Sequence, residues 1–181
     1  MFSFTRQWKR GRGGLILPHL AVIEFTHRWP DGSVKRQYEV ENRLFYEGQD
    51  LMLNFTYRAV DGFAVAWYGR LCAGAPADSA TLATLTGEPS GSGYGGLTWT
   101  RNTTDWAAII GVGTERQTRG LKKTYSATGD WPEVTTFLLA TVVSGTAGKA
   151  FSRFTLDSPL TLLNGEDFDV RPIGVLRGAS L

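Results

Sequence analysis

Hydrophobic and polar positions in the first part of the chain alternate with a period of two. In "HLAVIEFTHR", residues 19 to 28, Ala21, Ile23 and Phe25 fall on one side, as in a strand buried on one face. "WPDGS" comes next, with Pro, Asp and Gly in turn order. "VKRQYEVE" then alternates again, with Val34, Tyr38 and Val40 on one side and Lys35, Gln37, Glu39 and Glu41 on the other. The pair predicts a β-hairpin.

The period changes in "YEGQDLMLNFTYRA". Leu51, Met52 and Phe55 have helical spacing, and Glu47 and Asp50 stand near the start, which predicts one short helix over residues 47 to 57. "GFAVAWYGRL" returns to strand. "APADSATLATL" reads as a loop and then a helical turn capped by Ser79. The second half offers strands near 95–101, 107–112, 120–127, 134–143, 150–157, 159–163 and 167–175, separated by the turn-like segments "TGDWP", "SGTAGK" and "LNGED". Many short strands with few helices predict a mainly β, single-domain fold, an antiparallel β-sandwich or jelly-roll-like domain over 19–181. Residues 1–18 read as an extended arm before it.

Composition fits a globular domain. The 181 residues are 42% hydrophobic and 20% charged, with 22 glycines and six tryptophans, which suits a turn-rich domain plugged by large aromatics. Net charge is +2, but its distribution is uneven. Arg6, Lys9, Arg10 and Arg12 all precede the first acidic residue, Glu24, and are interleaved with Phe2, Phe4 and Trp8. Solvated tails gain nothing from such aromatics in water, whereas a segment that binds a partner uses them as anchors. A partner-binding arm and a solvated tail are the two readings. No apolar run approaches 18 residues and the first residues hold no apolar signal core, so neither a membrane span nor a secretory leader is expected. Without a leader, the sequons "NFT" at 54 and "NTT" at 102 read as chance matches.

Candidate chemistry is sparse. The lone Cys72 lies in an apolar run and reads as a buried inert thiol. His19 and His27 are eight residues apart, about 26 Å along one strand, too far to share a metal. No Gly-x-Ser-x-Gly elbow presents a serine to them. Glu166, Asp167 and Asp169 cluster beyond Asn164-Gly165. Their spacing is not that of an EF-hand, and charges beside a hairpin turn are usually solvated, although calcium is the chemistry they would serve. A carboxylate pair for glycoside hydrolysis stays open, since separation in space is invisible in sequence. "GEPSGSGYGGLTWTR", residues 87 to 101, formally contains G-x-G-x-x-G at Gly91, Gly93 and Gly96. A dinucleotide cradle needs a buried strand before the glycines and a helix after them. Here a turn cluster precedes and a strand pattern comes after, so the glycines read as a close-packed loop. The expectation is a binding or assembly domain rather than an enzyme, with no cofactor, metal, small-molecule substrate or specific nucleic acid.

"NRLFYEGQDLMLNFTYRA", "DSATLATLTGEPSGSGYGGLTWTRNTTDW", "SATGDWPEVTTFLLAT" and "LTLLNGEDFDV" occur in that order. Together they resemble a family of small tailed-bacteriophage virion proteins, variously described as head, tail or fibre structural proteins. The resemblance spans roughly residues 42 to 175. It rests on Glu88, Pro89, Ser90, Gly91, Gly93 and Tyr94, on Trp106 about a dozen residues later, on Gly129 and Trp131 before an apolar strand, and on the Asn164-Gly165 turn. Members often continue Tyr-Ala-Arg after the tyrosine; here Gly95 and Gly96 stand instead, so that arginine's contacts do not carry over. The resemblance implies a structural protein of the virion, a homo-oligomer bound to the major capsid protein or other virion subunits. A capsid decoration or cement protein is the first reading, with Phe2, Phe4, Arg6, Trp8, Lys9, Arg10 and Arg12 as the partner-binding arm. A tail, collar or fibre-base component is the second, and a glycan-binding or hydrolytic β-domain the third.

Overall fold

In a computed structural model, residues 21–58, 65–112 and 115–177 are described. The arm lies outside them. The architecture is mainly β; the described residues form eleven strands, one helix and two antiparallel sheets. The order is β1 (Ala21–Arg28), β2 (Val34–Glu41), β3 (Arg43–Leu44), α1 (Tyr46–Arg58), β4 (Ala66–Cys72), β5 (Leu97–Thr100), β6 (Ile110–Val112), β7 (Glu115–Arg119), β8 (Lys123–Ser126), β9 (Val134–Ala140), β10 (Ala150–Leu160) and β11 (Asp167–Arg177). The first sheet runs β2-β1-β11-β7-β6, with β8 beside the start of β11; the second runs β3-β10-β9-β4-β5.

The alternation explains the layering. Ile23 and Phe25 of β1, Tyr125 of β8, and Phe168 and Val170 of β11 face Leu71, Trp99, Phe137, Leu139 and Phe154 of the other sheet, and all are buried in one cluster. Phe25 stacks on Phe168 at 5.1 Å between centroids and meets Phe137 edge-on at 5.6 Å. Such pairs add to area burial because ring edges and faces carry opposite partial charge.

The predicted hairpin forms, with one correction. The β1–β2 ladder runs in register from Val22↔Glu41 to His27↔Arg36, then shifts so that Arg28 pairs with Val34. This bulge turns Val34 away from the face of Tyr38 and Val40 and leaves it 51% exposed. A bulge re-aims side chains in this way.

The helix lies where the period predicts it. It packs on β10: Glu47 accepts the Ala150 N–H at 2.9 Å, and the Phe45 N–H meets the Phe151 carbonyl at 3.2 Å. Other expectations need amending. Residues 150–157 and 159–163 do not form two strands. β10 continues through Pro159, with its ladder irregular between Thr155 and Leu160, where a missing N–H is tolerated. β7, "ERQTR", falls between the strands expected at 107–112 and 120–127; it is held between β11 and β6. The strand expected over 120–127 is confined to β8. Ser79 caps no helical turn; tight turns at Ala77–Ala80 and Thr81–Thr84 stand there instead.

Among the described residues, the outermost strands of the first sheet, β2 and β6, differ. β2 carries Lys35, Gln37, Glu39 and Glu41. β6 is "IGV", preceded by Ile109, and Ile109 and Ile110 are 71% and 50% exposed.

Gly48 in α1 gives a direct test of the helix seat. A Cβ there would land on the Phe151 carbonyl oxygen. Gly48→Ala should therefore destabilise by about 1–3 kcal/mol, despite the ~1 kcal/mol that alanine gains over glycine inside a helix. Urea unfolding measures it; unchanged or raised stability would refute the packing.

Candidate functional site

The glycine loop is a structural plug. Gly91, Ser92 and Gly93 all have positive φ, at 68°, 46° and 79°, a conformation that glycine adopts at little cost. A Cβ on Gly93 would collide with the Ser126 carbonyl oxygen. The Ser92 carbonyl accepts the Thr128 N–H at 3.0 Å and the Trp131 Nε1–H at 2.7 Å. Strand β5 comes after the loop, as the alternation of Leu97–Thr100 predicts.

Glu88 and Tyr94 tie this loop to the body. Glu88 makes a two-pronged pair with Arg70 of β4, at 2.9 Å to Nε and 2.5 Å to Nη2. Arg70 is 4% exposed and also donates to the Gly145 carbonyl at 2.8 Å. The hydrogen bonds that Arg70 donates to Glu88 hold its guanidinium pKa above the ordinary range. The Tyr94 hydroxyl donates to Glu88 at 2.8 Å and accepts the Leu71 N–H at 3.0 Å. Its ring stacks on Tyr125 at 5.6 Å and meets Trp131 edge-on at 5.2 Å. Burial pushes both tyrosine hydroxyls far above the usual range. Glu88, Gly91, Gly93, Tyr94 and Trp131 thus converge, and Pro89 is buried beside them in sequence. Trp106 does not join them; it bridges to Gly120 instead. Burial also raises the Cys72 thiol to about 11, which makes it a poor nucleophile.

At the Asn164-Gly165 turn two of the three carboxylates, Glu166 and Asp169, are not solvated as expected, while Asp167 is half-buried. Gly165 has φ 85° and its N–H meets the Ala127 carbonyl, while the Asn164 N–H meets Asp130. Glu166 is 1% exposed and accepts from Lys35 at 2.8 Å, His27 at 2.8 Å and the Leu163 N–H at 3.1 Å. The β1–β2 bulge delivers this lysine. Asp169 accepts from Arg28 at 2.9 Å, Lys122 at 2.9 Å and Thr124 at 2.7 Å. Burial raises both carboxyls, but these hydrogen bonds outweigh it and hold each below its ordinary range. Among the described residues no three His, Cys, Asp or Glu side chains converge as a metal site.

The feature that sequence reasoning missed is an apolar cleft of about 480 Å³ between the sheets. Met52 of α1, Trp67 of β4, Leu139 of β9 and Phe151 of β10 form one wall, and Trp106, Thr118, Pro172 and Gly174 the other. Trp67 and Phe151 are in contact at 4.4 Å between ring centroids. Arg101, Asn102 and Thr103 supply the polar lining, and the Asn102 side chain caps its own turn by accepting the Thr104 and Asp105 N–H groups. The cleft falls in the size range of ligand pockets, about 300–1,000 Å³. Its walls come from separate segments, so no local pattern announces it. The arm residues Phe2, Phe4, Arg6, Trp8, Lys9, Arg10 and Arg12 lie outside the described residues, as does His19. Comparisons with protein-family profiles, curated proteins and solved structures find no match to this chain.

Two substitutions test the anchoring of the glycine loop. Glu88→Ala leaves the nearly buried Arg70 without its carboxylate. It should cost about 2–3 kcal/mol, less than the 3–5 of a fully buried pair because Glu88 is partly exposed. Tyr94→Phe should cost about 1 kcal/mol for one hydrogen bond. Equal and negligible effects in denaturant unfolding would contradict the anchoring role.

His27 sets a pH dependence. Burial lowers its pKa below the ordinary 6.5, against the pull of Glu166, so the folded chain holds a neutral imidazole while the unfolded chain takes a proton. Stability should fall as pH drops below about 6.5, and His27→Gln should flatten that part of the curve. The stability held by Glu166 is lost further down, as pH falls below about 4.5 and through its lowered folded value. Urea midpoints between pH 5 and 7.5 read the histidine part; an identical slope in wild type and His27→Gln would refute it.

Proposed function

We propose that this chain is a structural protein of a tailed-bacteriophage virion, acting as a decoration or cement protein that attaches to the shell through subunit contacts. What supports the reading most is where its resemblance falls. Glu88, Gly93, Tyr94 and Trp131 are scattered over more than forty positions, yet they meet in one packed knot that anchors the loop between β4 and β5. Residues that a family shares because of its architecture behave in this way. The titratable groups fit the same reading. Glu166, Asp169 and Glu88 are each engaged by cations of the fold, which suits a scaffold rather than a reacting centre.

The arm is the attachment device in this proposal. Ordering a segment costs about 1–2 kcal/mol per residue, which a basic stretch cannot recover alone in water. Burying Phe2, Phe4 and Trp8 against a neighbouring subunit supplies the missing free energy. Arg6, Lys9, Arg10 and Arg12 then contribute to orientation and encounter more than to affinity, as rim charges do.

Deleting residues 1–14 should leave a folded β domain that no longer co-sediments with particles lacking the protein. Replacing only Arg6, Lys9, Arg10 and Arg12 by Gln should weaken attachment less. Co-sedimentation of the truncated form at wild-type occupancy would disprove the docking arm. Copy number in purified particles separates the placements: hundreds of copies for a decoration protein, a dozen or fewer for a collar or fibre base.

A further inference from the structure

A further pocket, of about 330 Å³, lies where β1 and β2 meet the last residues of β10. It is within the size range of ligand sites. Arg36 is the ladder partner of His27, and paired residues leave a sheet on the same face. On the other side, β10 departs from its ladder between Thr155 and Leu160. That irregular stretch brings Asp157 and Ser158 to Arg36. The polar lining is Lys35, Arg36, His27, Tyr38, Ser158 and Thr161; Pro159 and Leu160 are its apolar part.

No carboxylate belongs to this lining. Glu166 and Asp157 hold Lys35 and Arg36 from outside it, at 2.8 Å and 2.6 Å. They use only part of what these cations offer, since an ammonium carries three donors and a guanidinium five. His27 gives its Nε2–H to Glu166, which leaves Nδ1 of the neutral ring as an acceptor. The hydroxyls of Ser158 and Thr161 can both give and take. A matching ligand therefore brings a carboxylate for the cations and hydroxyls for the rest. Acetate offers no hydroxyl and an apolar molecule offers neither group. Trp29 adds a surface for the C–H face of a ring: it is 43% exposed, and the Lys35 ammonium lies 4.0 Å from its ring centroid.

We propose that this pocket binds a single acidic sugar ring, with the carboxylate toward Lys35 and Arg36 and the hydroxyls toward His27, Ser158 and Thr161. The proposal concerns binding without turnover. It goes beyond the virion reading and does not depend on it.

The test titrates the full chain, labelled with nitrogen-15, with D-glucuronate, D-glucose and acetate. Glucuronate should shift the backbone amides of Arg36, Ser158 and Thr161 in a saturable way, with a dissociation constant on the order of 1 mM. It should also shift the Trp29 indole N–H, assigned by its loss in Trp29→Phe. Glucose and acetate should each bind several-fold more weakly. Arg36→Gln should leave the chain folded, because the Arg36–Asp157 pair is exposed, and should weaken glucuronate binding several-fold. Thr161→Val, at an exposed position, should weaken it as well. No saturable shift at these amides would overturn the proposal. So would glucose or acetate binding as tightly as glucuronate, since the pocket would then read hydroxyls alone or charge alone. Unchanged glucuronate affinity in both variants would also overturn it, because the sugar would sit elsewhere. Failure to bind particles bears on the virion reading alone.

Discussion

One hydrogen bond joins the layers at their centre. The Tyr125 hydroxyl, on β8, crosses to the Gly69 carbonyl, on β4, at 2.7 Å. Its ring is fully buried, so the hydroxyl must find a partner inside the protein or bear the full cost of desolvation. Gly69 has room for the contact because it has no side chain; a Cβ there would lie 2.6 Å from the Phe137 ring. The bond fixes the spacing and offset of the sheets at one point. Tyr94 stacks on that same ring and Trp131 meets its edge, so the glycine loop takes its position from it. Tyr94 in turn holds Glu88, and Glu88 holds Arg70. A chain of contacts thus radiates from a single buried phenol.

Much of the fold was legible because the code is local. A period of two marked β1 and β2, the turn-like segments beside them marked β9 and β11 close to their observed limits, and the change of period at Leu51, Met52 and Phe55 marked α1. What stayed hidden is what neighbours decide. "ERQTR" becomes a strand because β11 offers a ladder on one side and β6 on the other, although its own side chains argue for solvent. Val34 leaves its face because of a bulge that spacing alone does not reveal. Pro159 sits inside a strand because the irregularity in the ladder leaves no N–H needed there.

The candidate sites divide the same way. The glycine motif could be read as packing from the residues after it, since Leu97–Thr100 alternate. Glu166 and Asp169 look like a solvated acidic cluster in sequence, and only the fold brings Lys35, His27, Arg28 and Lys122 to them from distant positions. The cleft is the extreme case. Met52, Trp67, Trp106 and Phe151 share no spacing, and their grouping exists only after the sheets have closed.

The unequal margins of the first sheet bear on edge pairing. Along β2, an added strand would have to pair beside the charged positions Glu39 and Glu41, which blunts an edge. Along β6 no charge stands in the way, and Ile109 and Ile110 already face solvent. Among the described residues, then, one edge of the sheet is guarded against strand addition by its charges and the other is not, and a single added charge at Ile109 or Ile110 would make the two alike.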